Sequence, residues 1–193
     1  LGFFVLGTIC GVCHLLPFDI AETNISYYAL CALMFSVGLS VGNDPQTLKN
    51  FRSLNPRLVF LPVMTILGTL AGSAAVSLIL THRSITDCLA VGSGFGYYSL
   101  SSIFITEYKG AELGTIALLA NISREILTLL AAPLLVRWFG NLAPISAGGA
   151  TTMDTTLPII TRTAGQQFVV VSIFHGFVVD FSVPFLVTLF CSI

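Results

Sequence analysis

Apolar residues run along this chain in long blocks that short polar stretches separate. A membrane-spanning helix takes roughly 20 mostly apolar residues, and the blocks at 1–18, 25–41, 58–80, 111–136 and 167–193 predict five such spans. One clear hydrophilic loop, 42–57, carries Lys49, Arg52 and Arg57. Two further blocks, 87–108 and 146–163, are long enough but are interrupted by glycines and hydroxyl residues. The pattern predicts an all-α polytopic integral membrane protein with about seven membrane segments, two of them broken or re-entrant.

The interrupted blocks resemble each other. The stretch from Cys88 to Glu107 reads CLAVGSGFGYYSLSSIFITE, and 146–163 reads SAGGATTMDTTLPIITRT. Each places glycines first, then hydroxyl residues, then an apolar tail. Laid one over the other, Gly94 falls on Gly148, Ser101 on Thr155 and Ser102 on Thr156. Lipid does not tolerate unpaired backbone polar groups, so a break here must face protein or a water-filled cavity. Paired interruptions of this kind point to a transporter binding site made from broken helices. The plainer alternative is that the glycines only allow helices to pack closely. The expectation is a single transmembrane transporter domain, 1–193, in which Gly94, Gly96, Gly148 and Gly149 break two segments that meet at membrane depth.

Composition narrows the classes further. Soluble domains carry roughly 25% charged residues, whereas this chain of 193 residues has 9% charged and 55% hydrophobic residues and a net charge of −1. Too few charges are present to cover a soluble surface, and no basic excess exists for nucleic acid. The five cysteines are an odd set. Cys10 and Cys13 form a CxxC pair next to His14, but no second pair completes a zinc site, so no metal and no cofactor are expected. With no nucleophile–base pair, no HExxH and no glycine loop bearing Lys, the chain does not read as an enzyme. Lysines and arginines set orientation. If the 42–57 loop is cytoplasmic and every later segment crosses, Arg83 falls outside, Lys109 and Arg162 inside, and Arg137 and the C-terminus outside.

Ionisable groups inside spans are the candidates for function. Glu125 sits mid-span in LANISREILTLL, one helical turn from Asn121 and beside Arg124. A carboxyl group there can exchange its charge for a proton; a satisfied packing pair is the alternative. Neighbours in sequence do not share a helix face, so Arg124 is expected to point elsewhere, for example to another carboxylate. Asp154, among Thr151, Thr152, Thr155 and Thr156, could meet an ammonium group or cap a helix start. His175 and Asp180 lie about 140° apart on an ideal helix and are not an obvious pair. Tyr97 and Tyr98 could line a substrate cavity or serve as packing tyrosines.

Taken together, GSGFGYYSLSSIFITE, the SREI around Glu125, GATTMDTTLP around Asp154 and HGF at His175 resemble, in order, the LysO family of bacterial lysine exporters. The resemblance implies a multi-pass protein of the bacterial inner membrane that exports L-lysine and its toxic analogue thialysine, driven by protons. It places the family's coupling carboxylate on Glu125 and implies a substrate and proton site among Asn121, Glu125, Asp154, Ser101, Ser102, Thr155, Tyr97 and His175. Family members extend further at the N-terminus, with more spans and another acidic residue. The expected partners are therefore the bilayer, a cationic amino acid, protons, and a small N-terminal membrane subunit or a second copy of this chain. A passive channel or holin-like protein is the alternative reading, and it would need no titrating carboxylate.

Overall fold

The structure, a computed structural model, describes Cys10 and residues 56–80 and 82–193. The expected spans at 1–18 and 25–41, the loop up to Asn55, and the Cys13 and His14 candidates lie outside the described residues.

Helices, and no strand, make up the regular structure of the described residues. A 3-10 turn, Pro56–Phe60, leads into α1, Leu61–Ile79, which has Pro62 in its first turn, where no backbone N–H is needed. The short helix α2, Ile85–Gly92, starts at Ser84, whose hydroxyl accepts the Asp87 N–H at 3.1 Å. Next come α3, Tyr98–Lys109, and the long α4, Ala111–Phe139. The half-length α5, Ala143–Gly148, runs into a 3-10 turn, Gly149–Met153, and is followed by α6, Leu157–Ala164. Helix α7, Val169–Ser192, closes the chain.

Among the described residues, three helices are long and apolar enough to cross a membrane: Leu58–Ile79, Ala111–Phe139 and Gln166–Ser192. Their exposed residues are those that lipid solvates, among them Leu78 on α1, Leu127 and Leu130 on α4, and Phe181 and Phe185 on α7. Helix α7 is the most enclosed. Of its most apolar stretch 39% is buried, against 11% for the first and 17% for the second.

The interrupted segments do not cross. Lys109 Nζ, at the end of α3, lies 3.7 Å from Asp87 Oδ1 at the start of α2, and Arg83 pairs with Glu112 at the start of α4. Helices α2 and α3 therefore enter and leave at one end of the bundle, the ion-pair end. At the other end, a cluster joins Ile145 of α5 to Ile160 and Ala164 of α6 and Val171 of α7, with Leu58, Leu61, Val136 and Leu142 packed around it. Helices α5 and α6 enter and leave there. At 1.5 Å per residue α2 is only about 12 Å long, under half of a hydrocarbon core of roughly 30 Å, so its break falls near mid-depth.

Each interrupted block is thus a re-entrant hairpin, and the two approach from opposite ends. This corrects the alternation read from the sequence, in which every segment crosses and Lys109 and Arg83 lie on opposite sides. Lys109 and Arg83 share the ion-pair end, whereas Arg137 and Arg162 adjoin Val136 and Ile160 at the cluster end. In a cysteine-free background, Arg83→Cys and Lys109→Cys should react with an impermeant thiol reagent from one side of the membrane, and Arg137→Cys and Arg162→Cys from the other. Labelling of Arg83→Cys and Lys109→Cys from opposite sides would show that the segment crosses.

Candidate functional site

The hairpin tips touch through their backbones. In the first tip, Phe95 has φ 46° and Gly96 φ 94°; in the second, Gly149 has φ 63°. The Ala150 N–H donates to the Phe95 carbonyl at 2.9 Å. A Cβ on Gly149 would collide with that same Phe95 oxygen, so the second tip requires glycine both for its conformation and for the close approach. Phe95 has no such excuse. A left-handed conformation in a bulky residue costs of order 1–3 kcal/mol and persists only where its surroundings fix it.

Helix α4 supplies that fixing. The Asn121 Oδ1 accepts the Gly96 N–H at 2.8 Å, while Nδ2 donates to the carbonyls of Ala117 at 2.9 Å and Val91 at 3.2 Å and lies 3.4 Å from Ser101 Oγ. One helical turn on, Arg124 serves the second tip. Its Nε donates to Ala147 O at 2.8 Å and a terminal nitrogen to Ser146 O at 3.0 Å, which are unpaired carbonyls at the C-terminal end of α5. The guanidinium also reaches Thr69 of α1 at 3.4 Å and lies over the Phe95 ring, 5.8 Å from its centre. Arg124 does point away from Glu125, as expected. Its partners are backbone carbonyls and a ring, however, not another carboxylate.

Helix α7 closes the opposite flank. His175 is fully buried, with Nδ1 3.2 Å from Thr152 Oγ1 and Nε2 2.9 Å from Thr65 Oγ1. The Thr152 hydroxyl also faces the carbonyls of Gly149 and Ser172, which can only accept. Its single proton goes to one of them, so its oxygen accepts from His175 Nδ1–H. The bare Nε2 then accepts the Thr65 hydroxyl. His175 is a tether between α1, α7 and the second tip.

A cavity of about 790 Å³, lined largely by apolar side chains, runs between α1, α2 and α4. It extends from Arg83 and Asp87 at the ion-pair end to Thr69, Asn121 and Arg124 at mid-depth. That is the size of a small-molecule site.

A profile described as "Lysine exporter LysO" matches residues 1–191. The chain belongs to the LysO family. It is 36% identical over 191 residues to "Lysine exporter LysO" of Escherichia coli K12, covering 99% of this chain and 62% of that protein. It is also 36% identical over 165 residues to "Putative lysine exporter" of Haemophilus influenzae, covering 86% of this chain and 83% of that one. The chain thus spans less than two thirds of the length of the E. coli relative. No solved structure matches it.

On this LysO-family framework the expected residues separate. Gly94, Gly96, Gly148, Gly149, Ser101 and Asn121 gather at the tips. A Cβ on Gly94 would strike Asn121, and one on Gly148 would lie 2.7 Å from Thr152 Cγ2. Tyr97 is half-buried beside them, and His175 is a tether. Asp154 and Thr155 are exposed, with the Thr155 N–H donating to Asp154 Oδ1. Ser102 is not at the tips. Its hydroxyl donates to Ser99 O at 3.2 Å, and its segment packs on Gly114 of α4. Glu125 is half-buried and has no hydrogen-bond or ion-pair partner among the described residues. Sequence reasoning missed Thr65, Thr69 and Arg124 as parts of the framework. Thr65 and Thr69 stand four apart in an apolar run, the spacing that places both on one helix face.

Gly149→Ala should force the tips apart, and Asn121→Ala should leave the Gly96 N–H without its acceptor, a loss of about 1–3 kcal/mol. Thermal unfolding of the membrane protein in detergent measures both. An unchanged midpoint in Gly149→Ala would mean that the tips do not touch.

Proposed function

We propose that this chain forms the transport domain of a secondary exporter that moves L-lysine, or a related cationic amino acid such as thialysine, out across the bacterial inner membrane in exchange for protons. One observation carries the reading: two re-entrant hairpins enter from opposite ends and meet near mid-depth on Asn121 and Arg124, at the floor of a cavity. Irregular backbone at that depth is tolerated where protein buries it or where it lines a water-filled cavity, and in transporters it builds the substrate site. The substrate class follows the printed names of the relatives, both of which are called lysine exporters.

The chemistry of the substrate fits the residues at hand. An ammonium group needs a carboxylate, and Glu125, half-buried and unpaired among the described residues, is available to meet it or to carry the coupling proton. The α-carboxylate needs N–H donors, and α3 and α6 both begin at the tips with no side-chain cap. Tyr97, Ser101, Asp154 and Thr155 adjoin those starts, with Ser102 one turn behind. His175 acts here by holding the second tip rather than by touching substrate.

Orientation follows from charge. Arg57 precedes α1, and Arg137 and Arg162 flank the cluster end, so that end is cytoplasmic. The cavity at the ion-pair end then faces outward. The partner we expect is a small N-terminal membrane subunit or a second copy of this chain, of which only the subunit would add the second acidic residue that the family resemblance implies.

Inverted vesicles from cells that express the chain with its native neighbours provide the test. Radiolabelled lysine should accumulate in them, faster when a pH gradient is imposed. Glu125→Gln should lower the rate by about tenfold or more, as expected when a charge-assisted contact of 1.5–3 kcal/mol is lost. A passive channel would keep its flux in Glu125→Gln and ignore the gradient.

A further inference from the structure

Asp180 sits at the middle of α7, the most enclosed of the long helices, and is only 5% exposed. The polar side chains that hold the two tips have partners. Asn121 is bonded to three carbonyl or amide groups of the backbone, Thr152 and His175 bond to each other, and Arg124 is held by Ser146, Ala147 and Thr69. Asp180 has none among the described residues. The two ion pairs there are Arg83–Glu112 and Lys109–Asp87, both at the ion-pair end. Gly176, one turn before Asp180 on the same face of α7, lies so close to the second tip that a Cβ there would come within 2.7 Å of the Met153 nitrogen, next to Asp154. The Asp154 carboxylate and the Tyr97 phenol are near enough to act on Asp180 electrostatically.

Among the described residues, the other elements packed on α7 bring no counter-charge to it. Helix α1 has no titratable group. Asp87 and Cys88 of α2, and Glu107 and Lys109 of α3, belong to the ion-pair end, and Arg162 of α6 is exposed at the cluster end. Asp180 keeps 5% of its surface exposed. A mid-membrane carboxylate without a partner is expensive, and a second carboxylate nearby raises the cost. No cation among the described residues neutralises it, which leaves the place open to a proton or a bound cation.

We propose that Asp180 and Asp154, with the Tyr97 hydroxyl, form a cation site at the meeting of the tips that holds either a proton or a primary ammonium group of the substrate, each displacing the other. The proposal rests on the exporter reading and names where the ammonium group and the proton compete. When the site holds a proton, the two carboxyls share it. The arriving ammonium binds between two carboxylates, and the carboxyl proton leaves to water. Charge is conserved: one cation enters the site as one proton departs. A proton delivered from the outer side reverses the step and frees the amino acid. Glu125 and Asp180, on different helices, then have separate duties.

Two measurements on membranes holding the chain with its native neighbours test this. First, dicyclohexylcarbodiimide, which adds to protonated carboxyl groups in apolar surroundings, should label Asp180 at mildly acidic pH. Lysine should suppress the labelling, and mass spectrometry of the α7 peptide reads the result without any mutant. Second, Asp180→Asn should lose about tenfold or more of lysine transport and should no longer release protons on adding lysine, whereas Asp180→Glu should restore part of both. If wild-type vesicles move lysine while Asp180→Asn matches their rate and pH profile, or while lysine leaves the labelling unchanged, the site is wrong and the exporter stands. If wild-type vesicles move no lysine, the exporter reading itself falls, and the site with it.

Discussion

The Ala150 N–H to Phe95 carbonyl bond is the contact on which the rest of this architecture turns. A helix interrupted at membrane depth leaves peptide groups with no water to take them, and each costs several kcal/mol if unmet. One interruption would need a polar side chain for every orphan. Two interruptions that meet can satisfy part of each other, backbone to backbone. This contact demands glycine at 149, because the Phe95 oxygen occupies the place of a Cβ. It also explains why both hairpins stop near mid-depth: neither tip can stop short without leaving the other uncovered.

What the tips do not give each other, α4 gives to both. Asn121 and Arg124 are one turn apart, so a single helix face addresses the first tip with an amide and the second with a guanidinium. The choice of groups follows the orphans. The Gly96 N–H needs an acceptor and nearby carbonyls need donors, which an amide supplies together. The end of α5 presents only carbonyls with a negative dipole, which a cation with a fork of donors suits. An arginine inside a span is therefore no anomaly here, since its charge is met by helix-end carbonyls, a hydroxyl and an aromatic face.

Much of this was legible in the sequence, for identifiable reasons. The glycine-then-hydroxyl pattern, present in two segments in the same order, pointed to breaks near Gly96 and Gly149. Yet α1 carries Gly68 before Thr69 and Gly72 before Ser73 in an unbroken helix, which shows that the pattern also serves close packing. The direction of travel could not be read. A segment of some 20 residues that returns has the same hydropathy as one that crosses, and the difference rests on ion pairs such as Lys109–Asp87 that join distant positions. Arg124 was harder to read because its partners are the backbone of Ser146 and Ala147, and backbone carbonyls leave no mark in a sequence. Asp180 was visible only as a charge in a span, and its lack of a partner is a property of the packing.

That lack divides the polar residues of the core into two kinds. Asn121, Arg124, Thr152 and His175 are bonded on every side the described residues present, and they serve the fold. Asp180 and Glu125 have no partner there, yet both lie near the middle of spanning helices, where an unmet charge costs most. A protein selected only for stability would replace such groups with apolar ones of similar size, at little loss. In a bundle that meets its backbone demands so fully, unmet carboxylates are not a residue of poor packing. On the exporter reading proposed above, they are the positions where the chain gives up stability to keep a charge available for a proton or a cation that comes and goes.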